Sequence, residues 1–267
     1  MASAHLNVVE SGEGHPVILL HGLTATHRYV VMGSKALERS GHHVVAYDAR
    51  GHGRSAPAPD PSAYRYEDLV GDVREVMDSL GIGRAVLAGA SMGAHTALRL
   101  AIDEPERVAG LVLVTPAYDP AGNDDPVRLQ RWDTLAEGLR SGGVEGFLAA
   151  YGDGDVPREW RQSVHKVIRQ RLAQHEHPEA VADALSAVPR SRPFADFDAL
   201  GTIDAPTVVV ADRDEADPGH PLEIGEAFAN AIPGSQLVVE EEGKSPIAWQ
   251  GSQLSKIIGQ VTEEARW

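Results

Sequence analysis

The 267-residue chain contains no cysteine, which excludes disulfides and thiolate metal ligands and leaves the redox compartment open. Cations are scarce as well: 24 Lys and Arg stand against 39 Asp and Glu, for a formal net charge of −15. That balance argues against a nucleic-acid partner, which calls for a basic face. No stretch approaches the roughly 18 apolar residues needed to span a bilayer, and residues 1–7 lack the basic flank and apolar run of a signal peptide. The expectation is a cytoplasmic chain with a small-molecule partner and no nucleic-acid or membrane contact. Two further shortages bear on chemistry. Lysine occurs only four times, at Lys35, Lys166, Lys244 and Lys256, and none of the twelve histidines lies beyond His220.

What is present fits one large domain or a domain with an insertion, at an ordinary 42% hydrophobic content. Short apolar runs at 17–20, 44–47, 85–88 and 111–114 read as buried strands of a parallel sheet. Between them, residues 66–80 place Leu69, Val70, Val73, Val76, Met77 and Leu80 at helical spacing, and Gly81 follows at a stop position. Residues 92–102 also fit a helix. Such alternation implies right-handed crossovers and a sheet covered on both faces. From 116 to 197 no buried strand is evident, while 127–139, 158–172 and 179–187 carry helical patterns. A strand at 206–210, a helix at 223–231, a strand at 236–239 and a last helix at 250–261 resume the alternation. The expected organisation is an α/β core over 1–115 and 198–267, with a helical cap over 116–197. The acidic run Glu240-Glu241-Glu242 reads as a solvated strand exit.

Gly89-Ala90-Ser91-Met92-Gly93 matches G-x-S-x-G, a short pattern that gains specificity from its place between a strand and a helix. A serine at that turn is held in a strained backbone with no room for neighbouring side chains, and its hydroxyl is lifted above the sheet edge. The Met92 N–H, at a helix start, can face a developing oxyanion, and the Leu23 N–H of His21-Gly22-Leu23-Thr24 is the expected second donor. His21 reads as a residue that braces this loop, and His95, one helical turn past Ser91, as packing beneath the elbow.

With His21-Gly22, the stretch 48–55 (Asp-Ala-Arg-Gly-His-Gly-Arg-Ser) and 89–93 in order and spacing, the chain resembles the α/β-hydrolase superfamily. Within it, the likeness is to the capped branch of esterases, proline iminopeptidase-like enzymes and cofactor-free haloperoxidases. The resemblance runs from Val17 to the last helix and implies an α/β-hydrolase fold: a mostly parallel central sheet, flanked by helices, with a helical cap. It also makes the 48–55 loop structural, with His52 a packing and hydrogen-bonding residue. In this family an acid follows the strand at 206–210, where Asp212 and Asp214 are candidates, and its spacing favours Asp214.

The family's histidine falls in a Gly-His-x-Pro stretch before the last helix, and Gly243-Lys244-Ser245-Pro246 occupies that place. An unperturbed lysine titrates at about 10.4 and is already protonated at neutral pH, so it has no lone pair with which to accept the serine proton. A nearby Asp214 would hold it charged, whereas deep burial would oppose that. Three readings follow. Ser91, Asp214 and Lys244 form a non-standard triad acting on a small apolar ester, lactone or related carbonyl compound, or another histidine reaches Ser91. Alternatively, a Lys244–Asp214 ion pair has replaced acyl transfer, leaving a ligand-binding or lyase-like pocket. In the third, lysine was introduced into a histidine-bearing parent. His27, His220, Trp132 and Tyr151 are the expected pocket residues. No cofactor or metal signature is present.

Overall fold

The computed structural model describes residues 5–154, 156–213, 216–241 and 249–267. Seven strands form one sheet: β1 (Val8–Ser11), β2 (His15–Leu20), β3 (His42–Tyr47), β4 (Ala85–Ala90), β5 (Val108–Val114), β6 (Thr207–Ala211) and β7 (Gln236–Val239). Their spatial order is β1-β3-β2-β4-β5-β6-β7, with β1 antiparallel to β3 and every other pairing parallel. This is the mostly parallel sheet expected from the apolar runs. The sequence reading missed β1 because it is a four-residue edge strand with no fully buried position, so no apolar run marks it.

Alternation along the central strands sends side chains to two cores. Ile18, Leu20, Val45, Leu87, Leu111 and Leu113 pack on one face under α2 (Tyr66–Ser79) and α3 (Met92–Asp103). Val17, Leu19, Val44, Val86, Val112 and Val210 face the other way, onto Leu254, Ile258 and Val261 of the last helix (Gly251–Glu264). Strands buried on both faces read as continuous apolar runs, which is why β2 to β6 were legible.

Besides α2 and α3, the helices are α1 (Ala36–Arg39), α4 (Pro126–Tyr151), α5 (Arg161–Leu172), α6 (Pro178–Ala187), α7 (Leu222–Ala231) and α8, the last helix. The helices α4 to α6 all fall between β5 and β6, as the helical insertion requires. The helix α4 extends well past residue 139 and breaks at Gly143, whose φ of 58° only glycine adopts freely. Its two arms meet at Gly138 and Gly146, where a Cβ on either would run into the other's carbonyl. Among the described residues, no helix is long and apolar enough to cross a membrane.

Glu240 is buried at 3% exposure rather than solvated, because its N–H continues the ladder to the Ala211 carbonyl and its own carbonyl accepts from Arg213 Nε. Glu242 lies outside the described residues.

Candidate active site

Ser91 stands between β4 and α3 with φ 48° and ψ −113°, a backbone that costs a non-glycine residue about 1–3 kcal/mol. The two flanking glycines make that turn sterically possible. A Cβ on Gly89 would strike the Gly93 backbone, and one on Gly93 would strike the Leu20 carbonyl. The Ser91 N–H donates to the Val114 carbonyl at 2.9 Å and its own carbonyl accepts from the His95 N–H at 3.1 Å, so the strained residue is fixed from both sides.

The side chain that meets the Ser91 hydroxyl is His220. Its Nε2 lies 2.9 Å from Ser91 Oγ, while Nδ1 lies 2.7 Å from Asp217 Oδ2. With Asp217 accepting from Nδ1–H, Nε2 carries the lone pair that faces the hydroxyl. Both residues belong to the turn Asp217-Pro218-Gly219-His220, closed by the His220 N–H on the Asp217 carbonyl at 3.0 Å. Burial opposes the charge on His220, but the hydrogen bond and negative charge of Asp217 outweigh it, raising its pKa above the usual histidine value. Burial also opposes the charge on Asp217, and there His220 and then Arg171 hold the carboxyl below its ordinary range.

His220 was expected to line the pocket, and the structure brings it to the Ser91 hydroxyl itself. Asp214 and Lys244 lie outside the described residues. Asp217 was missed as an acid candidate, although Asp-Pro-Gly-His is a recognisable turn that sets an acid and a histidine three residues apart, close to the strand carrying the expected acid.

Two unengaged N–H groups complete the surroundings of Ser91. The loop after β2 lies directly against the elbow, since a Cβ on Gly22 would come within 3.6 Å of Ser91 Cβ. The Gly22 carbonyl accepts from the Ala25 N–H at 2.9 Å and lies 2.8 Å from His21 Nδ1. Peptide planarity then turns the Leu23 N–H, on the other side of the same unit, away from these partners. The Met92 N–H is the first of α3 and has no acceptor within the helix. Leu23 and Met92 therefore each present a backbone donor that meets no acceptor among the described residues.

The other histidines nearby are structural. His21 Nε2 accepts from the Ala49 N–H at 2.9 Å, and burial followed by the neighbouring His52 lowers its pKa to about 3. His52, fully buried, lies 2.7 Å from the Leu23 carbonyl through Nε2 and holds the donor loop as expected of the 48–55 segment. His27 meets Asp48, through both its backbone N–H and Nδ1, instead of Ser91. Asp48 also accepts from Asn7 and the Arg54 N–H. Burial alone would raise its carboxyl, but these bonds, His27's first, hold it well below the usual range. Beneath the elbow, His95 Nε2 accepts from the Ala117 and Tyr118 N–H groups at 3.0 and 3.1 Å, with Tyr66 Oη 3.0 Å from Nδ1.

Of the expected aromatic pocket residues, Tyr151 stacks on Phe147 at 6.3 Å and comes close enough to Asp217 to feel its charge. Trp132 packs, partly buried, against the larger core. Asp212 is driven up to about 7 by burial and by the charges of Asp217 and Glu240, with His220 opposing, and one of its oxygens has no partner. It makes no hydrogen bond to His220, which Asp217 takes.

The family model for the alpha/beta hydrolase fold matches residues 15–251. A protein of Variovorax paradoxus (strain S110), provisionally named the carbamate hydrolase RutD, is 32% identical over 214 residues, covering 79% of this chain and 78% of the relative. A 2-hydroxy-6-oxononadienedioate/2-hydroxy-6-oxononatrienedioate hydrolase 2 of Pseudomonas putida is 30% identical over 244 residues, covering 88% and 82%. Among solved structures, a thermophilic esterase from Thermogutta terrifontis aligns with a TM-score of 0.75 at 28% identity, covering 98% of this chain and 92% of that one. A family match across most of the chain, together with the elbow and sheet order, means that this protein belongs to the α/β-hydrolase fold family.

Proposed function

We propose that the chain is a serine hydrolase of small carbonyl substrates such as esters or lactones, with Ser91 as nucleophile, His220 as general base and Asp217 as the residue that orients and stabilises it. The observation that carries this reading is the continuous relay Ser91 Oγ, His220 Nε2, His220 Nδ1, Asp217 Oδ2 at 2.9 and 2.7 Å. In it, Ser91 Oγ attacks the carbonyl carbon as its proton passes to His220 Nε2. Asp217 stabilises the resulting imidazolium, and the Leu23 and Met92 N–H groups hold the oxyanion. Collapse breaks the bond to the leaving alcohol, which takes the proton from His220 and leaves an acyl-Ser91. Water, deprotonated by His220, attacks the acyl carbon, the acid departs and the proton returns to Ser91 Oγ.

The names of the relatives differ in substrate but share hydrolysis, which supports the reaction class rather than a particular ester. The segment 116–197 serves as the cap that walls the pocket above the sheet's carboxyl edge, the core being 1–115 and 198–267. Tyr151, within that segment, feels the charge of Asp217. A pocket stripped of acyl transfer was the alternative motivated by the lysine at position 244, and the His220 contact to Ser91 supports acyl transfer over it.

The test compares short-chain p-nitrophenyl ester turnover by the native chain, Ser91→Ala, His220→Gln and Lys244→Ala. The expected result is loss of about 10⁴–10⁶ in kcat for the first two variants and retention in the third. Activity that survives His220→Gln but disappears in Lys244→Ala would make the lysine the base and overturn the assignment.

A further inference from the structure

Arg171, in the last turn of α5, is a half-buried cation whose charge reaches Asp217 of the proposed relay. Its guanidinium lies over the Tyr29 ring, 5.4 Å from the centroid, and its Nε is closed off from solvent with no acceptor. Among the described residues, its side chain makes no hydrogen bond or ion pair. Arg50, also largely enclosed, shows how this chain treats such a group elsewhere: it holds the buried Asp72 at 2.6 Å and two backbone carbonyls besides. The chain carries a net charge of −15, yet among the described residues no acid pairs with this guanidinium. Burial pulls the Arg171 titration down, and the nearby charge of Asp217 only partly restores it. Asp217 itself is occupied by His220.

The surroundings are built rather than incidental. Gln174, one turn on, donates from Nε2 to Tyr29 Oη at 2.6 Å, fixing the ring on which the guanidinium lies. Tyr29 belongs to the loop after β2 that also carries Leu23. Arg171 therefore sits where that loop, α5 and the Asp217–His220 turn converge. Arg161 and Arg169 of the same helix are paired with Asp153 and Glu145, which leaves Arg171 the arginine of α5 with no acid partner among the described residues.

We propose that Arg171 is an anion-binding residue of the Ser91 pocket, and that the substrate carries a carboxylate which docks on its free guanidinium edge. This rests on the reading of Ser91 as the nucleophile and narrows its substrate to a carboxylate-bearing ester or lactone. A planar guanidinium held flat by an aromatic face presents parallel N–H donors that match a carboxylate, and low exposure strengthens that pairing.

Mono-p-nitrophenyl glutarate and p-nitrophenyl valerate have equal chain length and differ by a terminal carboxylate against a methyl. Both use the same relay, so damage to His220 or Asp217 cancels in the ratio of their kcat/KM values. The Arg171→Met variant is expected to lower the glutarate-to-valerate ratio at least about tenfold, and Arg171→Lys to recover part of it. An unchanged ratio would show that Arg171 acts on the relay alone and would overturn the proposal. Where Arg171→Met fails to give a folded chain by circular dichroism, the ratio in Arg171→Lys decides, with a drop supporting the proposal and no change ending it. If the native chain hydrolyses neither ester, the nucleophile reading fails, and calorimetry with glutarate settles the anion site separately. Binding at least tenfold weaker in the variant supports the site, whereas equal binding, or none to the native chain, refutes it.

Discussion

Acidification to pH 4.5 should cost the fold about 3 kcal/mol through His95 alone. This imidazole is buried at 5% exposure, and its Nε2 already accepts from the Ala117 and Tyr118 N–H groups, so a proton there would leave two donors facing a third. Burial first, then the charges of His220 and Arg128, lower its pKa from 6.5 to about 3. The sign follows from which state binds the proton. Between pH 6.5 and about 3 the unfolded chain protonates this histidine and the native chain does not, so stability falls as pH falls through that window. At pH 4.5 the unfolded form is two units below its midpoint, and at about 1.4 kcal/mol per unit the loss is about 3 kcal/mol. The assay is urea unfolding of the native chain and His95→Leu at pH 7 and pH 4.5. The variant should be less stable at pH 7, because two buried N–H groups lose their acceptor at about 1–3 kcal/mol each. Its further loss on acidification should be smaller than the native chain's by about 3 kcal/mol. His21, His175 and Asp48 contribute equally to both chains, so the double difference isolates residue 95. Equal acid losses in the two proteins would refute the claim that His95 is held neutral.

The raised pKa of His220 predicts that kcat/KM for a neutral ester climbs with pH along an acid limb whose midpoint lies above 6.5, since only the neutral imidazole accepts the Ser91 proton. Removing the acid with Asp217→Asn should cut kcat by about 10⁴ and move any residual limb downward; a native midpoint at or below 6.5 in the pH–rate profile would count against the relay. Gly93→Ala should destabilise the chain by about 1–3 kcal/mol, because its Cβ runs into the Leu20 carbonyl, and unchanged urea stability would show that the elbow has slack.

The parts of this protein that were legible in its sequence are those in which local rules and tertiary demands coincide. Strands β2 to β6 are covered on both faces, so each appears as an uninterrupted apolar run. Gly89 and Gly93 are required by backbone contacts that no other residue fits, so the elbow carries its own signature. The edge strand β1 lacked such a signature, and α4 runs past the helical pattern of 127–139 through a break at Gly143 between two packed arms. His27 looked available because it lies in the donor loop, but the buried carboxylate of Asp48 claims it. Glu240 looked solvated for the company it keeps, while the ladder from Ala211 carries it inward.

The histidine that meets Ser91 was hidden for a different reason. A triad in this family runs nucleophile, acid, base, and the order Ser91, Asp217, His220 obeys it. Reading the chain by family spacing assigned the acid and base to loops after successive strands, and that assumption led to position 244. Here Pro218 and Gly219 let one turn present both side chains, and the His220 N–H on the Asp217 carbonyl sets their separation locally. The helix α7 begins at Leu222, immediately after this turn, so the placement of His220 over Ser91 is tied to the rigid layer packed on β6. On the proposed reading, proton transfer no longer depends on residue 244. A lysine can then stand there without removing the group proposed to accept the Ser91 proton.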